Sequence, residues 1–161
     1  MTKRVQMCPQ ANSICSHKDL SNKPHTIFTR NQKIPVEENG KRYYINNLNH
    51  ECIAKVKIDG GLISSSENSK ADYMVIRCDH NIIYIIELKG SDVKKACSQI
   101  LSTLKILTTL IGTASIHARI ICSRVPAPAL RSSEHVVLDK YCKKMNGRLD
   151  IKVREYTEVF S

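Results

Sequence analysis

Ala71-Asp-Tyr-Met-Val-Ile-Arg-Cys-Asp-His-Asn-Ile-Ile-Tyr-Ile-Ile-Glu-Leu-Lys-Gly90 decides how the rest of this 161-residue chain reads. Residues 72–78 and 82–89 are rich in β-branched and aromatic side chains, and Asp79-His80-Asn81 between them supplies turn residues. The second run is apolar on both faces until its last residues, as expected of a central strand covered on both sides. Strand side chains alternate, so Glu87 and Lys89 project from one face, about 6.6 Å apart. A two- or four-residue turn sets Asp72 directly across from Glu87, whereas a three-residue turn sends Asp72 to the wrong face. Like charges at a cross-strand position repel. A divalent cation held by both carboxylates would offset that repulsion, with the Lys89 ammonium aimed at the same pocket.

Outward from this hairpin, Gly90-Ser91-Asp92 ends the strand and offers a helix N-cap. Val93, Ala96, Cys97, Ile100, Leu101, Leu104, Leu107, Leu110 and Ile111 follow at helical spacing, an amphipathic helix of about five turns stopped by Gly112. Residues 116–122 predict a further strand. Ser132 or Ser133 caps a second helix bearing Leu138, Cys142 and Met145, closed by Asn146-Gly147. Leu149, Ile151 and Val153 alternate with charged residues as in a half-exposed edge strand. Upstream, residues 53–59 alternate and read as a strand broken at Gly60-Gly61, followed by a polar loop over 64–70. Asn39-Gly40 signals a hairpin, while Ile45, Leu48 and Cys52 equally suit a short helix. The expected class is α/β: a mixed β-sheet flanked by helices, with a C-terminal helix–strand extension. Residues 1–34 are polar and basic and read as an N-terminal extension, either a solvated tail or a DNA-contacting arm, leaving 35–161 as one domain.

Hydrophobic residues make up 42% of the chain, enough for one core without help from crosslinks. No apolar run reaches the roughly 18–20 residues of a membrane span, and the N-terminus lacks a signal-peptide pattern, so a cytoplasmic location without membrane partners is expected. The net charge of +10 favours polyanions, because phosphates neutralised by lysine and arginine release condensed counterions. The seven cysteines are odd in number, and Cys78, Cys97, Cys122 and Cys142 lie in or beside apolar segments, which predicts reduced, buried thiols. The rival reading is a zinc site from Cys8, Cys15, His17 and His25. His50, His80, His117 and His135 have no partner spacing for nucleophilic catalysis. Tyr43 and Tyr44 beside Lys41 and Arg42 fit either base stacking or packing in a hairpin.

The pattern resembles the PD-(D/E)XK nuclease superfamily, the restriction-endonuclease-like fold. Lys70-Ala71-Asp72 matches its first acidic position, with Ala71 where proline often stands, and Glu87-Leu88-Lys89 matches the second half. The resemblance implies an αβββαβ core over residues 44–122 and a magnesium-dependent (or manganese-dependent) endodeoxyribonuclease. Asp72, Glu87 and the Leu88 carbonyl would hold the metal, and Lys89 would orient the attacking water. Many members carry an upstream acid on the first helix, for which Glu51 is the candidate and Asp59 the substitute. Gln99 follows the motif as in branches with Gln-x-x-x-Tyr, although residue 103 here is threonine. The expected partner is duplex or branched DNA, with a homodimer for two-strand cutting. Lys41, Arg42, Lys55, Lys57, the 64–70 loop, Lys94 and Lys95 are the expected phosphate contacts. The alternatives are a non-catalytic nucleic-acid-binding or assembly module on the same fold and an RNA-processing nuclease.

Overall fold

In the computed structural model, which describes residues 8, 9, 12–67, 69–88 and 90–161, the two apolar runs pair as an antiparallel hairpin. In chain order the strands are β1 (Thr26–Thr29), β2 (Lys33–Glu38), β3 (Lys41–Asn47), β4 (Ile53–Lys57), β5 (Tyr73–Arg77), β6 (Ile82–Leu88), β7 (Ser115–Cys122), β8 (Leu149–Val153) and β9 (Glu155–Phe160). The helices are α1 (Val93–Ile106), α2 (Thr108–Ile111) and α3 (Ser133–Lys144). A six-stranded mixed sheet runs β1-β4-β5-β6-β7-β8, and a three-stranded sheet runs β2-β3-β9. Strands β6, β7 and β8 are mutually parallel, joined by crossovers that contain the helices, while β5 is antiparallel to both β4 and β6.

Alternation along β5 and β6 divides the core. Met74, Ile76, Ile83 and Ile85 face Ala96, Cys97, Ile100 and Leu104 of α1 and Leu138 and Cys142 of α3. Val75, Tyr84, Ile86 and Leu88 face Ile34, Val36, Tyr43, Ile45 and Phe160 of the small sheet. The α/β class therefore holds, with a correction: helices cover one face of the large sheet and a second sheet covers the other. The five-turn helix is divided at Leu107, where the Thr108 hydroxyl donates back to the Leu104 and Lys105 carbonyls at 3.2 and 2.8 Å and competes with the regular ladder.

Three other expectations change. Asn39 and Gly40 both take positive φ (52° and 72°), the backbone of a tight mirror-image turn, so β2 and β3 form the hairpin and no helix occupies 44–52. The helix that would lead an αβββαβ core is thus not in that place. The boundary drawn at residue 34 also falls inside packed structure: β1 pairs with β4, and Cys15 and Leu20 are fully buried. Of the expected extension, residues 1–7, 10 and 11 lie outside the described part. Finally, four cysteines are not free thiols. Cys8 is bonded to Cys52 and Cys15 to Cys78, while Cys97, Cys122 and Cys142 are buried thiols as expected. Disulfides persist in oxidising surroundings, so these two bonds do not argue for a cytoplasmic location. His17 and His25 both turn to Asp19, through its N–H at 3.1 Å and its carbonyl at 3.1 Å, instead of joining Cys8 and Cys15.

One polar cluster sits between the sheets. Arg119 is 1% exposed; its Nε donates to Glu158 Oε1 at 2.6 Å and its Nη1 to the Ala118 and Arg148 carbonyls. Tyr43 donates its hydroxyl to the same Glu158 oxygen at 2.9 Å, and burial, reinforced by Glu158, pushes its pKa well up. Removing only one partner strands a buried charge. Arg119→Ala should lower urea-unfolding stability by about 3–5 kcal/mol, and Arg119→Met combined with Glu158→Leu should cost much less.

His117 stacks on Tyr84 at 4.7 Å and accepts the Arg148 N–H at Nδ1, an arrangement that suits the neutral ring. Burial first, then Arg119, lowers its pKa from 6.5. Between that lowered value and 6.5 the unfolded chain binds a proton that the native chain refuses, so stability falls as pH drops through this window. Urea midpoints measured across it should decline with acid, and His117→Asn should flatten that part of the slope.

Candidate functional site

The β5–β6 ladder pairs Tyr73 with Ile86 and closes through the four-residue turn 78–81, so one further step places Asp72 opposite Glu87. The Asp72 carbonyl accepts the Ile58 N–H at 2.9 Å, and its carboxylate reaches across to accept the Leu88 N–H at 2.8 Å. Strand parity sends both acids to the helix side of the sheet, with Met74 and Ile85. Glu87 is 1% exposed. The register thus sets Asp72 and Glu87, the two acids that the sequence singled out, at facing positions, with the Asp72 carboxylate bonded to the Leu88 N–H. Lys89 lies outside the described residues.

Helix α1 holds the approach to Asp72. Gln99 Nε2 donates to the Lys70 carbonyl at 2.9 Å, and Thr103 Oγ1 accepts the Ala71 N–H at 2.8 Å while donating to the Gln99 carbonyl. Residues 99 and 103 are one helical turn apart, so both can grip consecutive peptide units. Thr103 was not singled out from the sequence. Its signal was a fully buried polar residue on the apolar stripe of an amphipathic helix, four positions after Gln99. Lys70 is 7% exposed; its ammonium donates to the Ser65 carbonyl and sits 3.3 Å from Asp59 Oδ1. That ammonium is tied to Ser65 and Asp59 and is not displayed for phosphates.

Glu51 is a correction. Arg77 grips it in bidentate fashion, at 2.6 and 2.9 Å, with His80 at 3.6 Å. Arg77 is at the other end of β5, five residues from Asp72 and so roughly 16 Å along the strand. The helix expected to carry Glu51 toward the site is absent at 44–52, and the carboxylate instead anchors the hairpin's turn end. Its bond to Arg77 raises that guanidinium's pKa. Asp59, the substitute, is at the right end: it follows Ile58, which bonds Asp72. Among the described residues no group of three or more His, Cys, Asp or Glu side chains forms a ready metal cage.

Strands β4, β6, β7 and β8 all end beside this pair, and their exits are basic. Lys57, Lys94 and Lys95 are exposed there, as are Arg124 and Arg154, neither of them read from the sequence. Lys41 is near enough to lower the pKa of the Cys122 thiol against the rise caused by burial, and the Arg42 N–H bonds the Arg154 carbonyl. Lys55 is diverted: it donates to the Pro35 carbonyl at 2.8 Å and lies over Tyr73, and burial lowers its pKa. Tyr43 is core, while the partly exposed Tyr44 bonds Glu37.

No family model, curated protein or solved structure matches this chain. Among the described residues no helix is long and apolar enough to cross a membrane.

The Thr103 contact is open to a direct check. Thr103→Val keeps the shape but leaves the buried Ala71 N–H without its acceptor, which should cost about 1–3 kcal/mol in urea unfolding. Thr103→Ser should restore most of that loss.

Proposed function

We propose that this chain is a divalent-metal-dependent nuclease that hydrolyses DNA phosphodiester bonds, acting as an endonuclease on duplex or branched DNA. The observation that carries the reading is the meeting of Asp72 and Glu87 across β5 and β6, at the end of the sheet where Lys57, Lys94, Lys95, Arg124 and Arg154 are displayed. The donor set fits the metal expected. Two carboxylates from cross-strand positions, with Cβ atoms about 4.5–5.5 Å apart, and the Leu88 carbonyl are hard oxygen ligands suited to magnesium or manganese. Such an ion, when bound, polarises a phosphoryl oxygen and lowers the pKa of a water.

The chain's own residues do the remaining work. The Leu88 N–H orients the Asp72 carboxylate, and Gln99 and Thr103 hold the backbone that carries it. The basic rim draws the phosphate backbone to this end and fixes its register. Lys89 is assigned the orientation of the attacking water. Two-strand cutting calls for two copies of the chain. One observation favours a second reading, a non-catalytic nucleic-acid-binding module: only two carboxylates meet here, with no third ligating side chain among the described residues.

Plasmid, branched DNA, single-stranded DNA and RNA incubated with and without magnesium separate these readings. Cleavage of DNA should require the metal. Asp72→Asn and Glu87→Gln should each lower it about 100-fold or more, the scale of losing one electrostatic catalytic group, with DNA affinity and its salt dependence retained. Binding without metal-dependent cleavage in the unaltered protein assigns the non-catalytic module, and metal-free cleavage of RNA alone assigns RNA processing.

A further inference from the structure

The large sheet stops at β8, which among the described residues pairs with β7 alone, while β9 leaves it for the small sheet. At the two ends of that pairing the Ala118 N–H donates to the Arg148 carbonyl at 3.1 Å and the Arg154 N–H to the Cys122 carbonyl at 2.8 Å. Those two bonds fix which peptide groups point where. The N–H and carbonyl groups of Asp150 and Lys152 point to β7, and those of Leu149, Ile151 and Val153 point outward along the free edge. Among the described residues no backbone partner meets these outward groups. None of the five residues of β8 is buried, and Val153 is 48% exposed.

An open edge is a template for another strand, and Leu149-Asp-Ile-Lys-Val153 is complementary to itself. Laid antiparallel about a two-fold axis through Ile151, it sets Leu149 opposite the partner's Val153 and Asp150 opposite the partner's Lys152. The hydrogen-bond phase agrees with that register. Leu149, Ile151 and Val153, whose peptide groups point outward, fall in the hydrogen-bonded pairs, each exchanging both N–H···O bonds. The Asp–Lys pairs take the closer positions between them, with Cα atoms about 4.5 Å apart. A slip of two residues keeps the hydrogen bonds but sets Asp150 against its own copy, or Lys152 against its own, like charges face to face. Charge therefore selects one register. Both charged side chains lie on the small-sheet face: Asp150 Oδ2 accepts Arg148 at 2.9 Å and stands 3.7 Å from Arg119, and Lys152 lies over Tyr156. Leu149 and Ile151 lie on the helix face. The opposite edge of the sheet, β1, has no charged residue to fix a register.

We propose that a second copy of this chain docks along β8, joining the two six-stranded sheets into one through an antiparallel β8–β8 pair. The interface is isologous: the same five residues serve on both sides, so the assembly closes as a dimer and does not grow into a fibre. Because the two β8 strands run in opposite directions, the carboxylate pairs of the two copies lie at opposite ends of the joined sheet. The interface therefore does not set both pairs on one duplex, and it does not depend on the proposed activity.

The test combines sedimentation equilibrium with amide hydrogen exchange followed by NMR over a range of protein concentrations. The expected result is a monomer–dimer equilibrium in which the Leu149, Ile151 and Val153 amides exchange more slowly as the dimer fills. The Asp150 and Lys152 amides, bonded to β7, should exchange at a rate indifferent to concentration. Lys152→Glu turns both Asp–Lys pairs into like-charge pairs and should raise the dimer dissociation constant about 10-fold. Val153→Pro removes one outward N–H from each copy, at an exposed position and without touching the β7 ladder, and should raise it about 30-fold. An unchanged urea midpoint for either variant at monomeric concentration separates lost docking from lost folding. A chain that stays monomeric at NMR concentrations overturns the proposal. So does a dimer whose dissociation constant neither substitution moves, or one in which the three outward amides exchange as they do in the monomer.

Discussion

Asp72 faces Glu87 because the turn between β5 and β6 has four residues, and the geometry of the candidate site depends on that parity. One residue more or fewer would turn Asp72 toward the small sheet, among Val75, Tyr84 and Ile86, and leave Glu87 without its cross-strand partner. The register is guarded from both sides. A slip would expose Met74 and Ile76 to the wrong core and break the match with α1, whose Gln99 and Thr103 hold the peptide units just before Asp72. Packing energy, spread over the buried side chains of β5 and β6, therefore maintains the register that sets the two acidic residues opposite each other.

The second sheet explains why β6 is apolar on both faces although the helices lie on one side only. Strands β2, β3 and β9 cover the remaining face, and the chain reaches that layer at its end through Arg154, a single residue at φ 66° between β8 and β9. Its N–H bonds the Cys122 carbonyl, so the switch between sheets is fastened to β7. The buried Arg119–Glu158–Tyr43 cluster then joins β7, β9 and β3 across the layer boundary. A polar cluster of this kind contributes little net stability but strongly disfavours any packing that separates its members.

The two ends of β5 carry separate chemistries. At one end, carboxylates and an exposed basic rim meet where the parallel strands finish. At the other, Glu51, Arg77 and His80 tie the turn, and the four cysteines bring the N-terminal segment onto the sheet. Glu51 was misplaced because its role was borrowed from a helix, and the residues that could have made that helix were taken by a hairpin whose turn, Asn39-Gly40, has the stronger local preference.

Sequence alone determined the elements whose periodicity is long or whose punctuation is strict: β4 to β7, most of α1, α3 and β8. Those elements follow from side-chain alternation, helical spacing and turn residues, all local properties. The turn length that sets Asp72 opposite Glu87 was open between two or four residues and three, and the β5–β6 register decided it. Only the tertiary structure decided what covers the second face of the large sheet, that β1 and β9 are strands, that Lys70 is buried against Asp59, and which cysteines meet. Each of these rests on contacts between residues far apart in the chain, such as Cys15 with Cys78, Ala71 with Thr103 and Tyr43 with Glu158. No local pattern encodes such pairs, because the free energy that selects them comes from burying surfaces together after the elements have formed.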